Sequence, residues 1–149
     1  MVKLFVDGSP AAEADLTHQA LVNYGAYTSF RVESGGVRGL DLHLARLEKA
    51  AVELFGQAVG DERLRDLMRL ALGPRQDAWL RVSLFSDALS NRDPTAQGTP
   101  SVMIGVFDAP SALAGAVRLQ LQTYEREAPH LKHVATFGLL RARRAAKAT

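Results

Sequence analysis

The chain has 149 residues, of which 47% are hydrophobic and 23% are charged, a composition typical of globular rather than disordered proteins. It contains no cysteine, which excludes disulfides, thiolate metal sites and a cysteine nucleophile, and we predict no metal site. A net charge of only +2 gives little support for nucleic-acid binding by the chain as a whole. No apolar run is long enough to span a membrane or form a signal-peptide core, so we expect a cytoplasmic protein without membrane contact.

Strand signals open the chain. The segment "KLFVDG" predicts a short strand that turns at Asp7 and Gly8. The segment "YTSFRVESGGVRGL" predicts a hairpin, because its first arm is rich in β-branched and aromatic residues and Ser34-Gly35-Gly36 can supply the turn. We therefore expect the N-terminal part to contribute strands to a sheet.

Two helices are predicted next. In "DLHLARLEKAAVELFG", Asp41 can cap the helix, leucine and alanine recur at helical spacing, and Gly56 follows the last apolar residue as a stop. In "DERLRDLMRLALG", the apolar residues again share one face, and Gly73-Pro74 ends the pattern. Each helix therefore has one apolar side that can pack against a sheet.

Three strand patterns follow the helices: "AWLRVSLFS", "SVMIGVFDA" and "VRLQLQTYE". The segments between them carry no helical pattern, so they cannot provide the crossover connections that parallel strands need. The sequence therefore predicts an α+β fold, in which a two-layer small domain has two helices on a largely antiparallel sheet.

After "EREAPH" the pattern becomes helical again. Phe137 and Leu140 lie on one side of this helix, and the other side is basic, with Arg141, Arg143, Arg144 and Lys147. Such a basic side is most often solvated, and RNA binding is the alternative. No glycine, asparagine or proline ends the helix before Thr149, so we expect the chain to be a piece of a longer protein or to lack a segment that follows.

Lys132 is the first candidate for chemistry, since the chain has only four lysines and fourteen arginines. A lysine amine is mostly charged at neutral pH and becomes a nucleophile only where burial and neighbouring cations favour its uncharged form. His133 is adjacent, and Arg141 and Arg143 lie in the helix beyond. The alternative is a solvated lysine ahead of a basic helix.

Two arginines can bind anions. His43 and Arg46 lie three residues apart in the first turns of a predicted helix, where backbone N–H groups and the helix dipole favour a phosphate. Arg81 lies among apolar residues in "WLRVSLF" and can hold a carboxylate through two parallel hydrogen bonds if its side of the strand faces a cleft. The alternatives are a solvated Arg46 with His43 packing on the sheet, and Arg81 on the outer face.

Tyr27 and Thr28 are neighbours on the predicted strand "GAYTSFRV". Side chains of successive strand residues point to opposite faces of a sheet. Only one of the two can therefore point straight into a given cavity, unless the strand bulges.

Taken in order, three of these segments resemble the class IV aminotransferase family. These are the fold-type IV enzymes that use pyridoxal 5'-phosphate (PLP), among them branched-chain and D-amino acid aminotransferases and aminodeoxychorismate lyase. "YGAYTSFRVESGGVRGLDLHLARLEKAAVELFG" is similar to the family's glycine-aromatic strand, hairpin, and helix with a histidine, two residues, then Arg-Leu. "WLRVSLF" is similar to its central strand, and "HLKHVATFGLLRARRAAKA" to the segment that bears the cofactor lysine.

The resemblance implies a role for each candidate residue. Lys132 would form the Schiff base with PLP, and Arg46 would bind the phosphate of the cofactor. Tyr27, Thr28 and Arg81 would border the substrate, with Arg81 placed to meet its carboxylate. The partners implied are a small-molecule amino acid or amino carboxylate and a second copy of the chain in a homodimer, with no nucleic acid.

The resemblance also implies two domains. Residues 1–120 would form the small N-terminal domain, and residues 121–149 would be the incomplete beginning of a larger C-terminal domain. The carboxylate partner of the pyridine nitrogen and the main phosphate-binding loops of the family lie beyond Thr149. Activity is therefore expected to need the segment that follows.

Two positions depart from the family's transaminases. These usually carry an acidic residue right after the strand aromatic, where this chain has Thr28, and aminodeoxychorismate lyases resemble the chain better there and at Lys132-His133. Phe137 stands where some transaminases have a tyrosine. We expect PLP-dependent transamination; the alternatives are an aminodeoxychorismate lyase that forms 4-aminobenzoate, and a family member without catalytic activity.

Overall fold

The computed structural model describes residues 2–111 and 115–147 and has the predicted α+β fold. Five strands form one sheet in the order β2-β1-β5-β4-β3, and the described pairings are antiparallel. No helix in these two ranges is long and apolar enough to cross a bilayer. The elements are β1 (Lys3–Val6), β2 (Ser9–Pro10), α1 (Glu13–Leu21), β3 (Ala26–Val32), α2 (Leu40–Phe55), α3 (Asp61–Leu72), β4 (Ala78–Phe85), β5 (Ser101–Phe107) and α4 (Phe137–Lys147).

The hydrophobic core lies between one face of the sheet and helices α2 and α3, which pack on β3 and β5 respectively. Alternate strand residues such as Phe30, Val82 and Ile104 are buried there together with Leu44 and Leu47 of α2. Burying a leucine side chain stabilises a fold by about 1.5–3 kcal/mol. This layer therefore fixes the first turns of α2 over β3.

The opposite face of the sheet carries the strand residues that alternate with the core. Tyr27 and Ser29 lie there on β3, and the antiparallel register places Ser29 opposite Arg81 of β4. Trp79, two residues earlier on β4, lies on the same face, and both it and Arg81 are partly exposed. This face therefore presents polar and aromatic side chains instead of a packed apolar layer.

The predicted hairpin after β3 is wrong in its second arm. β3 ends at Val32, and a bridge between Glu33 and Gly36 closes a tight turn. The chain then leads directly into α2, with Val37 and Leu40 packed against the core, so the partner of β3 is β4. Turn residues predict where a chain reverses, but the packing available afterwards decides whether a strand follows.

The predicted cap of α2 is also wrong. The helix begins at Leu40 after Gly39, which has a left-handed φ of 65°. Asp41 therefore lies inside the first turn, where its carboxylate forms an ion pair with Arg65 of α3 at 2.6 Å. The predicted stop is confirmed, since Gly56 follows the helix with a φ of 78°.

The predicted strand "VRLQLQTYE" is wrong as well, because residues 117–125 form no strand. Leu119 and Leu121 are 91% and 101% exposed. An alternating pattern forms a strand only where a sheet edge is available to pair with it, and this segment pairs with no strand of the described sheet. Helix α1 is absent from the predicted elements, because the apolar pattern of its sequence is weak. In the structure, none of its residues is buried.

Candidate active site

The segment around Lys132 lies along the outer edge of β3. The backbone amide of Tyr27 donates a hydrogen bond to the carbonyl oxygen of Lys132 at 2.8 Å, and the amide of Val134 donates to the carbonyl oxygen of Gly25 at 2.9 Å. An isolated antiparallel bridge lies between these two bonds. Lys132 is therefore held beside the start of β3, although it is far away in sequence.

Both neighbours of the lysine are anchored. Leu131 is buried against Ala26 and Ala50. On the other side, Nε of Arg126 donates to Nε2 of His133 at 3.0 Å, and the same guanidinium donates to the carbonyl oxygen of His133. These contacts restrict the backbone of the lysine on both sides, which limits the positions that its amine can take.

The ring of Tyr27 lies beside two cations. The guanidinium carbon of Arg81 is 3.9 Å from the ring centroid, and Nζ of Lys132 is 5.2 Å from it. A cation beside an aromatic ring is stabilised by about 0.5–2 kcal/mol. Nε of Arg81 also lies 3.4 Å from Oγ of Ser83, to which it donates. Lys132, Tyr27 and Arg81 therefore form one continuous group on the more polar side of the sheet.

Thr28 points to the other face of the sheet and is fully buried. Its Oγ1 lies 2.6 Å from Nδ1 of His43 and accepts a hydrogen bond from Nη2 of Arg46. The same Nη2 lies 3.2 Å from Nδ1 of His43. Thr28 thus connects β3 to the first turns of α2, and we call these three residues the Thr28 cluster.

His43 is the titratable group of the Thr28 cluster. Burial lowers its pKa below the ordinary value, and the positive charges of Arg46 and Lys132 lower that pKa further. His43 is therefore neutral at pH 7. The effect of Lys132 on this pKa relates its amine electrostatically to the Thr28 cluster, although Thr28 and Tyr27 point to opposite faces of the sheet.

The electrostatic character of this site is positive. Arg46, Arg81 and Lys132 form no ion pair with a carboxylate in residues 2–111 and 115–147. In addition, Nε of Arg46 is buried and has no hydrogen-bond partner among the residues that the structure describes. A buried donor without an acceptor is unfavourable by about 1–3 kcal/mol, and an oxyanion at Arg46 would supply that acceptor. The donors therefore fit a phosphate or a carboxylate.

A metal centre finds no comparable support. Across the same two described ranges, no three His, Asp or Glu side chains are grouped so that they could hold a metal ion. The side chains that meet at the site are cationic, hydroxylic or aromatic. Cationic donors suit an anionic ligand and repel a metal ion.

Reasoning from sequence missed the link between Thr28 and Arg46. Strand alternation puts Thr28 and Tyr27 on opposite faces of the sheet. The apolar side of the predicted helix α2 packs on the face that carries Thr28. These two facts together were the signal that could have revealed the contact. The anchor Arg126 lies outside the family-like segments, and Leu131 lies inside one but has no polar group that would mark it as a candidate. Their roles depend on the fold of the segment before Lys132.

Comparisons with solved structures identify similar folds. The chain is similar to 4-amino-4-deoxychorismate lyase from Pseudomonas aeruginosa, with 25% identity and a TM-score of 0.57, over 74% of this chain and 41% of that one. It is also similar to a T.th. branched-chain amino acid aminotransferase, crystallised with pyridoxamine 5'-phosphate, with 11% identity and a TM-score of 0.56, over 75% of this chain and 41% of that one. The second likeness shows the fold alone. No curated protein matches the chain significantly.

The family comparison covers the whole of the site. The family described as amino-transferase class IV matches residues 25–149, a range that includes β3, α2, Arg81 and Lys132. The chain spans only 41% of the length of the lyase and of the aminotransferase to which it is similar. The match nevertheless extends over most of the present sequence, and the chain belongs to the class IV aminotransferase family.

Proposed function

We propose that this chain belongs to a PLP-dependent enzyme of the aminotransferase type, which acts on an amino acid or amino carboxylate. The observation that carries the proposal is the position of Lys132, whose backbone is bonded to β3 and whose amine lies beside Tyr27. When bound, PLP supplies a conjugated ring that stores the electron pair released at a substrate carbon. The chain's own residues would bind the cofactor, orient the substrate and move the proton.

Lys132 is the residue to which we assign the cofactor and the proton. Its amine would hold PLP covalently and would be released by the amine of the substrate. The released Nζ then accepts the proton from the α-carbon of the substrate. In transamination, the same Nζ would also give that proton back.

Arg46 is the residue to which we assign the cofactor phosphate. Its guanidinium carries a buried Nε without a hydrogen-bond partner in the described part of the chain, and a guanidinium binds phosphate through charge-assisted hydrogen bonds. Thr28 is fully buried and its hydroxyl contacts Arg46. The resemblance implies that Thr28 borders the substrate; we instead assign Thr28 to the phosphate end of the site and Tyr27 to the substrate end.

Arg81 is the residue to which we assign the substrate carboxylate. Its guanidinium is held against Tyr27, the ring that also lies beside Nζ of Lys132. A carboxylate bound by Arg81 would thus place the rest of a small substrate next to the lysine. This arrangement favours substrates that carry an amine and a carboxylate close together.

A lyase is the second candidate, and it is supported by Thr28 and by one comparison. The similar structure with 25% identity is a 4-amino-4-deoxychorismate lyase, and Thr28 is an uncharged residue where transaminases of the family usually carry an acid. A lyase of this kind would expel pyruvate from aminodeoxychorismate and leave 4-aminobenzoate. The two candidates share the roles of Lys132 and Arg46 and differ in the fate of the substrate. A family member without catalytic activity is the remaining alternative.

The organisation of the whole enzyme is also part of the proposal. Residues 1–120 would form the small domain, and residues 121–149 would begin the larger one, because the similar solved chains are much longer than this chain. We propose a cytoplasmic homodimer without nucleic-acid or membrane partners. The rest of the cofactor site would come from the segment after Thr149.

Covalent labelling tests the proposal. Full-length protein is incubated with PLP, reduced with borohydride and digested, and mass spectrometry should find the cofactor on the peptide that contains Lys132. The Lys132→Arg variant keeps the positive charge and should lose the label, while its thermal unfolding shows that the fold is retained. Label on Lys3, Lys49 or Lys147 instead would refute the assignment.

A further inference from the structure

The Thr28 cluster forms a consistent chain of donors and acceptors. Nη2 of Arg46 donates to Oγ1 of Thr28, and this Oγ1 lies 2.6 Å from Nδ1 of His43, for which we assign the hydroxyl as the donor. This pattern requires Nδ1 to be unprotonated, with the ring proton on Nε2. A proton on Nδ1 would face Nη2 of Arg46 at 3.2 Å, which would bring two donors together.

We propose that Thr28 and His43 are positioning residues that hold the guanidinium of Arg46 in the orientation that receives the phosphate of PLP. The inference rests on the proposed function, which identifies the phosphate. Thr28 is 0% exposed, so it acts through Arg46 and not on the ligand. Nη2 of this guanidinium is engaged by Thr28, and its Nε is a buried donor without a partner in the described residues.

The hydroxyl of Thr28 has an advantage over a carboxylate at this position. A carboxylate would form an ion pair with Arg46 and cancel part of its positive charge. A hydroxyl accepts the hydrogen bond from Nη2 and leaves the full charge of Arg46 for the ligand. Thr28 stands where transaminases of the family usually carry an acidic residue. The threonine therefore strengthens phosphate recognition in this chain.

The surroundings of His43 favour the neutral ring that this arrangement needs. The ring packs against Phe30 of β3 with centroids 4.8 Å apart. The charged groups that face it are Arg46 on α2, Lys132 at the edge of β3, and Arg31, Glu33 and Arg38 around the adjoining hollow. Burial lowers the pKa of His43, and the charges of Arg46 and Lys132 lower it further. Nδ1 is therefore available as an acceptor at pH 7.

The test compares the binding of PLP and of pyridoxal, which lacks the phosphate, to full-length protein. The dissociation constant of pyridoxal divided by that of PLP reports the contribution of the phosphate alone, and a lower value of this ratio means a weaker preference for PLP. Thr28→Val keeps the shape of the side chain and removes the hydroxyl, and we expect it to lower this ratio by about three- to tenfold, as the loss of one hydrogen bond would. Thr28→Ser restores the hydroxyl and should return the ratio to the wild-type value.

The histidine is tested by a matched pair of variants and by spectroscopy. His43→Asn keeps an acceptor near the position of Nδ1 and should preserve most of the ratio, whereas His43→Leu removes the acceptor and should lower it. In the wild type, the ¹⁵N resonance of Nδ1 should be that of an unprotonated, hydrogen-bonded nitrogen, and Thr28→Val should shift it. A merely structural role would lower the affinity for both ligands together and would not change their ratio.

The outcomes separate the inference from the proposed function. If the wild type labels at Lys132 and prefers PLP over pyridoxal, but Thr28→Val and His43→Leu keep that preference, the positioning role is wrong and the proposed function stands. If the wild type does not prefer PLP over pyridoxal at all, both fail. A ratio that falls in Thr28→Val and recovers in Thr28→Ser supports the inference.

Discussion

The amide of Tyr27 donates a hydrogen bond to the carbonyl oxygen of Lys132, so the start of β3 sets the position of the proposed cofactor lysine. The same tyrosine ring lies beside Nζ of Lys132 and beside the guanidinium of Arg81. One residue thus aligns the proposed cofactor amine with the proposed substrate carboxylate. Changes that displace the start of β3 should therefore affect the lysine, even when they lie outside the site.

Gly25 offers a direct test of this coupling. A Cβ at Gly25 would overlap the carbonyl oxygen of Leu84, and the carbonyl oxygen of Gly25 accepts the bond from Val134. We expect Gly25→Ala to lower the free energy of unfolding by about 1–3 kcal/mol, the range for overpacking, and to slow borohydride labelling at Lys132. Urea denaturation and timed mass spectrometry measure the two effects.

The matched control for that substitution is Gly98→Ala. Apart from its own chain neighbours, no atom of the described residues lies within 4 Å of the position that its Cβ would take. Its free energy of unfolding should stay within about 0.5 kcal/mol of the wild type, with labelling unchanged. Equal effects of the two substitutions would show that the start of β3 does not position the lysine.

Arg46→Ala should weaken PLP binding by about 1.5–3 kcal/mol, the range for a hydrogen bond to a charged group. Pyridoxal should lose little affinity in the same variant, because it has no phosphate for Arg46 to bind. Absorbance titrations with both ligands measure the difference. Equal losses for PLP and pyridoxal would mean that Arg46 supports folding instead of the phosphate.

Arg81→Met should raise KM for amino acid substrates about ten- to a hundredfold, since removing a charge-assisted hydrogen bond loses about 1.5–3 kcal/mol. Methionine keeps an unbranched apolar stem against Tyr27, so packing is largely retained. Affinity for PLP should be unchanged, because the phosphate is assigned to Arg46. If KM stays at the wild-type value while PLP affinity falls, Arg81 belongs to the cofactor and not to the substrate.

The stability of the fold should fall with decreasing pH because of His43. Its pKa in the folded chain lies below the ordinary value of 6.5, so the unfolded chain binds the proton more readily. The stability that the neutral ring of His43 allows is fully present above about pH 6.5. It is lost as the pH falls from there through the lowered pKa of His43 in the folded chain. Urea denaturation across this range should show a smaller dependence in His43→Asn than in the wild type. Identical pH profiles would contradict a neutral, buried His43.

The products of the reaction distinguish transamination from the lyase reaction. We expect the full-length protein to transfer amino groups from amino acids in a panel of branched-chain L-amino acids and D-alanine, each supplied with a 2-oxo acid acceptor. Aminodeoxychorismate without an acceptor is the comparison, with pyruvate release measured by a coupled assay. Pyruvate from that substrate, together with inert amino acids, would establish the lyase instead.

Part of the fold follows from local sequence patterns. Helices α2 and α3 have an apolar stripe at helical spacing, and Gly56 and Gly73 end them as predicted. Strands β4 and β5 are also where alternating or continuous apolar residues predict them. These signals succeed because spacing, propensity and glycine stops act within a few residues.

Sequence patterns gave wrong predictions where a strand can form only beside another strand. The strand predicted around Leu119 and Leu121 has the right alternation but pairs with no edge of the described sheet. The second arm of the predicted hairpin is replaced by the entry into α2, because Val37 and Leu40 pack on the core. Strand formation needs a neighbour, and the neighbour is not encoded in the segment itself.

The sequence by itself determined the α+β class, the main helices, and the residues Lys132, Arg46 and Arg81 as candidates, since residue types and short spacings carry that information. Only the tertiary structure decided that Lys132 lies against Tyr27, and that Thr28, on the face opposite Tyr27, contacts His43 and Arg46. These contacts join a strand, a helix and a distant loop. Their formation depends on burial and backbone pairing across the whole fold, which no local pattern reports.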